Sequence, residues 1–371
     1  WERVEYIKPS SDFQPTLGFH FDEAFNVIAG EVKNVQENVG LCEVNGLNRF
    51  EITGADRHAF LDRMFCGTVT KKAARVGLGY LLNHHGMVKG EATIANIPAS
   101  DRGPDRVWYG SAAAAEYHDM DWLCGHLDPA LDVQVKSLTN DQTILVLAGP
   151  KARDVLSACS RGDWSRDAFP WLTIRECFIG FAPATVLGVS FSGELAYEIH
   201  VPNHALYASY TALRTAGDAQ GLKIFGARAV DSMRLEKGFL HWKSDLLTEF
   251  DPFETGLERF VKMNKPDFIG KAALSKRFAT GPRKKLASLH IDCTHAPARS
   301  GASVKVGGRV TGTITSGDWG HRLGMNLAYG FVSPEHAEIG TKMTVDVIGK
   351  PVPATVIGAG PYDPTNAIMR G

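Results

Sequence analysis

The sequence changes character at Gly281-Pro282. Before that dipeptide, runs with strand alternation trade places with runs of helical period; after it, short β-rich runs at 286–291, 309–315, 343–348 and 352–357 follow one another with glycine between them. A helix-period pattern does not settle into a sheet, so the switch confines the chain to an α+β region followed by an all-β unit of roughly ninety residues. Strands at that spacing close naturally into a barrel or a sandwich. The total of 371 residues suits two or three domains rather than one core.

Within the α+β region the pattern is specific. Residues 50–53 read as a strand, followed by a helix from Asp56 to Cys66 with Phe60, Leu61 and Met64 on one face. Tyr80-Leu-Leu and the run 91–97 read as a hairpin turning at Asn83-His-His-Gly86. A short buried strand at 143–147 leads through Gly149-Pro150 into a helix carrying Val155, Leu156 and Cys159, with proline at its first turn. The run 184–191 reads as another strand, and Leu206, Tyr210 and Leu213 mark the next helix. The opening segment to about Gly30, with Pro9 and Pro15, reads as a surface linker.

Bulk properties remove several function classes. Forty Lys plus Arg against forty-one Asp plus Glu leave no field to gather nucleic acid or an anionic lipid surface. No apolar stretch is long enough to cross a bilayer. Six scattered cysteines without a C-x-x-C pair fit free thiols in a reducing compartment, cytoplasmic or a matrix equivalent to it. The start at Trp1 displays no secretory signal and reads as a processed or excised end. Nucleotide loops, zinc-protease helices and nucleophile elbows are absent, and Gly77-Leu-Gly79 lacks a third glycine. His84-His85 is not completed by nearby Cys or carboxylate ligands, so no metal is expected.

Two carboxylates remain as candidates. Strand alternation puts Ala196, Glu198 and His200 on one face and Tyr197 and Ile199 on the other. An acid among apolar residues needs donors to offset its desolvation, from a ligand's paired N–H groups or from an internal arginine such as Arg234 or Arg259. Glu91, at the mouth of the hairpin, reads by itself as an ordinary solvent-facing strand acid. The charges of Arg234-Leu-Glu-Lys-Gly238 read as pairing at a helix end.

Taken together, Gly86-Met-Val-Lys-Gly-Glu-Ala-Thr-Ile, Ser192-Gly-Glu-Leu-Ala-Tyr-Glu-Ile, Asp231-Ser-Met-Arg-Leu-Glu-Lys-Gly, Asp251-Pro-Phe-Glu-Thr-Gly-Leu-Glu, Lys265-Pro-Asp-Phe-Ile-Gly-Lys, Thr315-Ser-Gly and Pro361-Tyr-Asp-Pro resemble the aminomethyltransferase family. That family includes the glycine-cleavage T-protein and the folate regions of dimethylglycine and sarcosine dehydrogenases. The run from Arg234 to Trp242 with Asp245, and the Trp1-Glu-Arg opening, are most similar to the dehydrogenase branch. The resemblance implies a three-lobed cloverleaf: a linker over 1–30, a folate-binding region over 31–284 with a second lobe inserted at about 65–140, and a barrel lobe over 285–371. It implies tetrahydrofolate in the central channel, held by Glu198, and a catalytic carboxylate near N10 at Glu91, where members commonly have aspartate. Phe191, Leu78 and Val230 replace more polar residues common in the family, which implies a more apolar pocket. Phe191, Trp171 and Tyr109 are the candidates for packing against the bound ring, with Leu78 beside them.

The activity so implied is capture of an iminium or formaldehyde, derived from a small methylated amine, as 5,10-methylene-tetrahydrofolate. The partner would be a flavin dehydrogenase domain or subunit. Relatives in the same family imply two alternatives: direct S- or O-demethylation to 5-methyl-tetrahydrofolate, or folate binding without catalysis. The second usually carries a Lys-Gly-Cys segment, where this chain has Lys265-Pro-Asp-Phe-Ile-Gly.

Overall fold

The computed structural model describes residues 3–16 and 18–371; the Trp1-Glu2 part of the opening motif lies outside them. Three β units organise the chain. A six-stranded sheet has the spatial order Leu222–Ile224, Val39–Glu43, Gln142–Ala148, Ala196–Pro202, Ala182–Leu187, Ile174–Ile179. A five-stranded sheet runs Val76–Leu82, Val88–Ile97, Arg106–Ala112, Leu47–Thr53, Gln134–Ser137. The six strands between Lys285 and Ile357 close into a barrel. The mixed helix and sheet followed by this barrel is the α+β cloverleaf architecture expected from the sequence.

The five-stranded sheet starts earlier than residue 65. Strand Leu47–Thr53 pairs with both Arg106–Ala112 and Gln134–Ser137, so it belongs to the second lobe and not to the first. The linker also ends sooner, because helix Ala24–Glu37 buries Ile28, Val32 and Val35 at i, i+4 and i+7 against Phe225 and Met233. Its Gly30 is tolerated on the exposed side of a helix held by tertiary packing.

Each lobe has its own core. Val155, Leu156, Tyr197, Ile199 and Leu213 fill the first, whereas Phe50, Ile52, Phe60, Leu61, Ile94 and Tyr109 fill the second. Full burial of each such side chain stabilises the fold by roughly 1.5–3 kcal/mol. A separate apolar layer of Val76, Ala95, Trp108, Leu138, Ile174 and Leu187 joins the two lobes. The lobes are thus packed against each other along one seam.

Two glycines set the geometry of the central region. Gly86 takes φ +77 in the Asn83-His-His-Gly86 turn, and a Cβ there would come within 2.7 Å of the Leu274 backbone nitrogen. The hairpin can therefore rest directly on helix Lys271–Thr280. Gly238 ends helix Ala227–Lys237 in the left-handed region, with its Cα side closed by Gly360. That stop throws residues 239–250 across toward the hairpin, where Leu246 packs with Tyr80, Leu82 and Val88.

Candidate functional site

Strand Ala196–Pro202 lies in the middle of the six-stranded sheet, flanked by Gln142–Ala148 and Ala182–Leu187. Its odd residues Tyr197, Ile199 and Val201 enter the first core. Glu198 and His200 therefore point the other way, into the seam. They line a cavity with Leu47, Arg49, Thr93, Ala95, Trp108 and Leu187, about 390 Å³ of empty space including the part open to solvent. Glu198 keeps 21% of its side chain exposed.

The carboxylate is only partly satisfied. His200 donates from Nε2 to Glu198 Oε2 at 3.2 Å, and no other protein donor among the described residues reaches the group. Burial holds the His200 pKa below its usual value, with the bond and charge of Glu198 pulling it back. The ring is neutral at pH 7, so it orients Glu198 without neutralising it. Neither arginine considered from the sequence pairs with Glu198. Arg234 binds Asp245 at 2.7 Å, and the Arg259 guanidinium sits 4.7 Å from the ring centre of Phe260.

Arg49 is the charged residue nearest in function to Glu198 that sequence reasoning missed. Along Leu47–Thr53, Phe50 and Ile52 enter the second core, which turns Arg49 and Glu51 to the seam. Arg49 is 4% exposed, and its Nη2 donates to the carbonyls of Thr139 (2.8 Å) and Gln142 (2.5 Å). Its Nε and Nη1 are buried without a partner among the described residues. Burial lowers its pKa, and the Glu198 charge resists that fall. The only sequence signal was alternation, which places the residue on a face but says nothing of its partners.

Glu91 sits on strand Val88–Ile97, whose Ala92 and Ile94 enter the second core, so it shares a strand face with Thr93 and Ala95; those two line the cavity of Glu198, whereas Glu91 lies further along the strand, outside that lining. It pairs across the hairpin with Tyr80. Burial drives its pKa up to about 7; the Tyr80 hydroxyl draws it partly back, and the Asp245 charge pushes it higher. Asp245 is itself fully buried. It accepts from Arg234, Thr315 Oγ1 (2.5 Å), Ser316 Oγ (2.6 Å) and the His241 amide (3.0 Å). Residues from the first lobe, the crossing loop and the barrel thus meet behind Glu91.

The aromatic candidates divide. Tyr109 is 0% exposed, stacked on Phe50 at 5.6 Å, and its hydroxyl donates to Asp119 at 2.8 Å. It touches the cavity wall, yet its ring belongs to the second core; the neighbouring Trp108 faces the seam, 5.4 Å from the His200 ring. Phe191 is not in a strand, because Ala182–Leu187 stops early and residues 188–195 turn at Gly193. It is exposed and stacks on Phe239 at 5.9 Å. Trp171 is half-buried beneath the Arg370 guanidinium, 5.7 Å away, and does not line the cavity. Leu78 is exposed on Val76–Leu82, paired with Thr93 of the cavity wall. Val230 packs with Phe225 and Met233.

Among the described residues no group of three His, Cys, Asp or Glu is placed to hold a metal ion. His84 instead lies beside Trp122 and His126 at 5.2 and 5.3 Å. All six cysteines are unpaired. No helix among the described residues is long and apolar enough to cross a membrane.

The three-lobed molecule thus carries a carboxylate with a single protein donor at the cavity and a second acid, with its pKa raised to about 7, on the strand that forms part of the cavity wall. The chain belongs to the aminomethyltransferase (glycine-cleavage T-protein) family of folate-dependent transferases: the model of the GCVT N-terminal domain matches residues 1–265, and that of the glycine cleavage T-protein C-terminal barrel domain matches residues 284–363. Mitochondrial dimethylglycine dehydrogenase of Rattus norvegicus is 31% identical over 360 residues, which are 96% of this chain and 41% of that protein. The chain therefore spans about two fifths of such relatives. An aminomethyltransferase of Symbiobacterium thermophilum is 27% identical over 357 residues, 95% of this chain and 94% of that one. In fold, the glycine cleavage system aminomethyltransferase T of Bartonella henselae superposes with a TM-score of 0.82 at 21% identity, covering 94% of each chain.

Proposed function

We propose that the protein binds tetrahydrofolate in the seam and loads onto it a one-carbon unit at the formaldehyde level. The observation that carries this reading is Glu198: an acid with one neutral donor, facing a cavity, with carboxylate capacity left for a ligand. An ionised carboxylate matches the amino and ring N–H pair of a pterin, and the resulting bonds are charge-assisted. The residues present fit that group. When bound, tetrahydrofolate supplies two nitrogens that condense with a formaldehyde-level carbon, releasing water and giving 5,10-methylene-tetrahydrofolate without change in oxidation state.

The chain's own contribution is orientation and one proton. His200 fixes the Glu198 carboxylate, and Trp108 and Leu187 limit water at that end. Glu91, at a pKa of about 7, accepts and returns a proton at neutral pH, the range in which general acid–base groups act best. Burial keeps that pKa high, and the Asp245 charge adds to the rise. The donor is a small methylated amine, in keeping with relatives named for dimethylglycine and sarcosine. Its oxidation falls to a flavin dehydrogenase domain or subunit, and the compartment is a reducing one, cytosol or matrix.

The test is product identity. With tetrahydrofolate and isotopically labelled formaldehyde, the label should appear in 5,10-methylene-tetrahydrofolate, above the uncatalysed rate. Label at the 5-methyl level from a sulfonium or ether donor would select direct demethylation. Folate binding with no turnover from any donor would select a non-catalytic folate-binding role.

A further inference from the structure

We propose that Arg49 is a specificity-determining residue that reads the acceptor side of the bound heterocycle, so that Glu198 and Arg49 together select a 2-amino-4-oxo ring over a 2,4-diamino one. This rests on the tetrahydrofolate reading and assigns to the same cavity a second recognition group.

Three observations converge on it. Arg49 lines the same cavity as Glu198, on the opposite wall of the seam, because the two come from different sheets. Its guanidinium is pinned by Nη2 on two backbone carbonyls, those of Thr139 and Gln142, so it is not free to swing away. Its Nε and Nη1 nevertheless have no acceptor among the described residues while Arg49 is 4% exposed. A buried N–H left unpaired is costly, and native interiors rarely keep one without a ligand or water to take it.

The chemistry of the ligand supplies the match. On a 2-amino-4-oxo pyrimidine edge, two donors, the amino group and the ring N–H, stand next to an acceptor, the ring carbonyl. Glu198 is an acceptor only and takes the donors; arginine is a donor only and suits the carbonyl. Replacing the 4-oxo by a 4-amino group removes the ring N–H and turns the acceptor into a donor, which faces the cation with nothing to offer. The His200 ring, neutral and bonded to Glu198, adds no competing charge. Arg49 thus complements the site in type as well as position. A site built to hydrogen-bond a group discriminates strongly against its loss.

The experiment compares affinities for tetrahydrofolate and its 4-amino-4-deoxy analogue, by calorimetric titration, in the wild type, Arg49→Met, Arg49→Gln and Glu198→Gln. The wild type should prefer the 4-oxo ligand by about 10- to 100-fold, the span of one hydrogen bond to a charged group. Arg49→Met and Arg49→Gln should weaken tetrahydrofolate by a similar factor and bring the ratio toward one. Arg49→Gln keeps an amide donor for the two carbonyls and guards against misfolding. If Arg49 only anchors those carbonyls, both ligands weaken equally and the ratio persists, which overturns the inference while Glu198 stands. A wild type without preference overturns it too. If the wild type binds neither ligand, or Glu198→Gln binds as the wild type does, the tetrahydrofolate reading itself fails.

Discussion

Two of the contacts between lobes hold acids that are satisfied to different degrees. Between the first lobe and the barrel, Arg322 donates to Glu194 (2.7 Å), to Glu236 (2.5 Å) and to the Met233 carbonyl (2.6 Å). Tyr362 donates to Glu194 at 2.7 Å and stacks under the guanidinium at 3.7 Å, while the Leu323 amide closes Glu236 at 2.8 Å. Between the two α+β lobes, Glu198 has one neutral donor and Arg49 has idle ones. A saturated network fastens domains. The unsaturated one, with an acceptor and unpaired donors lining one cavity, is the site proposed above for the folate ring.

The comparison predicts opposite responses to truncation. Removing Arg322 strands two buried carboxylates, which costs on the order of 3–5 kcal/mol. Arg322→Met should lose about that much in denaturant unfolding. A loss below about 1 kcal/mol would show that the barrel seam is not held by this network.

Glu91 sharpens the other side. Its pKa is raised to about 7, so the carboxyl is protonated below that pH and ionised above it. If the ionised form takes up the proton, turnover rises with pH through about 7 and levels off above it. Glu91→Gln should lower kcat by about 10²-fold and remove that limb, with little change in folate affinity. Folding follows the reverse sign: the raised folded pKa makes the native state bind the extra proton, so Glu91 costs stability as pH rises from its unfolded range through about 7. Glu91→Gln relieves that cost. Full turnover with an unchanged pH profile would remove Glu91 from the chemistry.

Much of this was legible in the chain. The period of two placed Glu198 and His200 on one face and Tyr197 on the other, and the runs expected as strands after Gly281-Pro282 lie in strands, whereas the run expected over 184–191 stops at Leu187. The limits were physical. Tyr109 and Trp108 are adjacent, and one residue of register decides which ring enters a core and which faces the seam. Strand Met325–Val332 is buried at seven of eight positions, so it has no alternation to betray it. Helix Ala24–Glu37 did carry Ile28, Val32 and Val35 at helical spacing, but the prolines ahead of it dominated the reading. Arg49 was the hardest. Its importance lies in bonds to residues 139 and 142 and in bonds it lacks, neither of which local sequence encodes.

The most direct test of the contrast between the seams is Glu198→Ala, followed by tetrahydrofolate titration and by denaturant unfolding on the same sample. Tetrahydrofolate affinity should fall by about 10²-fold or more, since two charge-assisted bonds are lost, while the unfolding free energy of the free protein stays within about 1 kcal/mol of the wild type. Unchanged affinity together with a loss of several kcal/mol in stability would contradict the account, for it would make Glu198 a structural acid like Glu194 and Glu236.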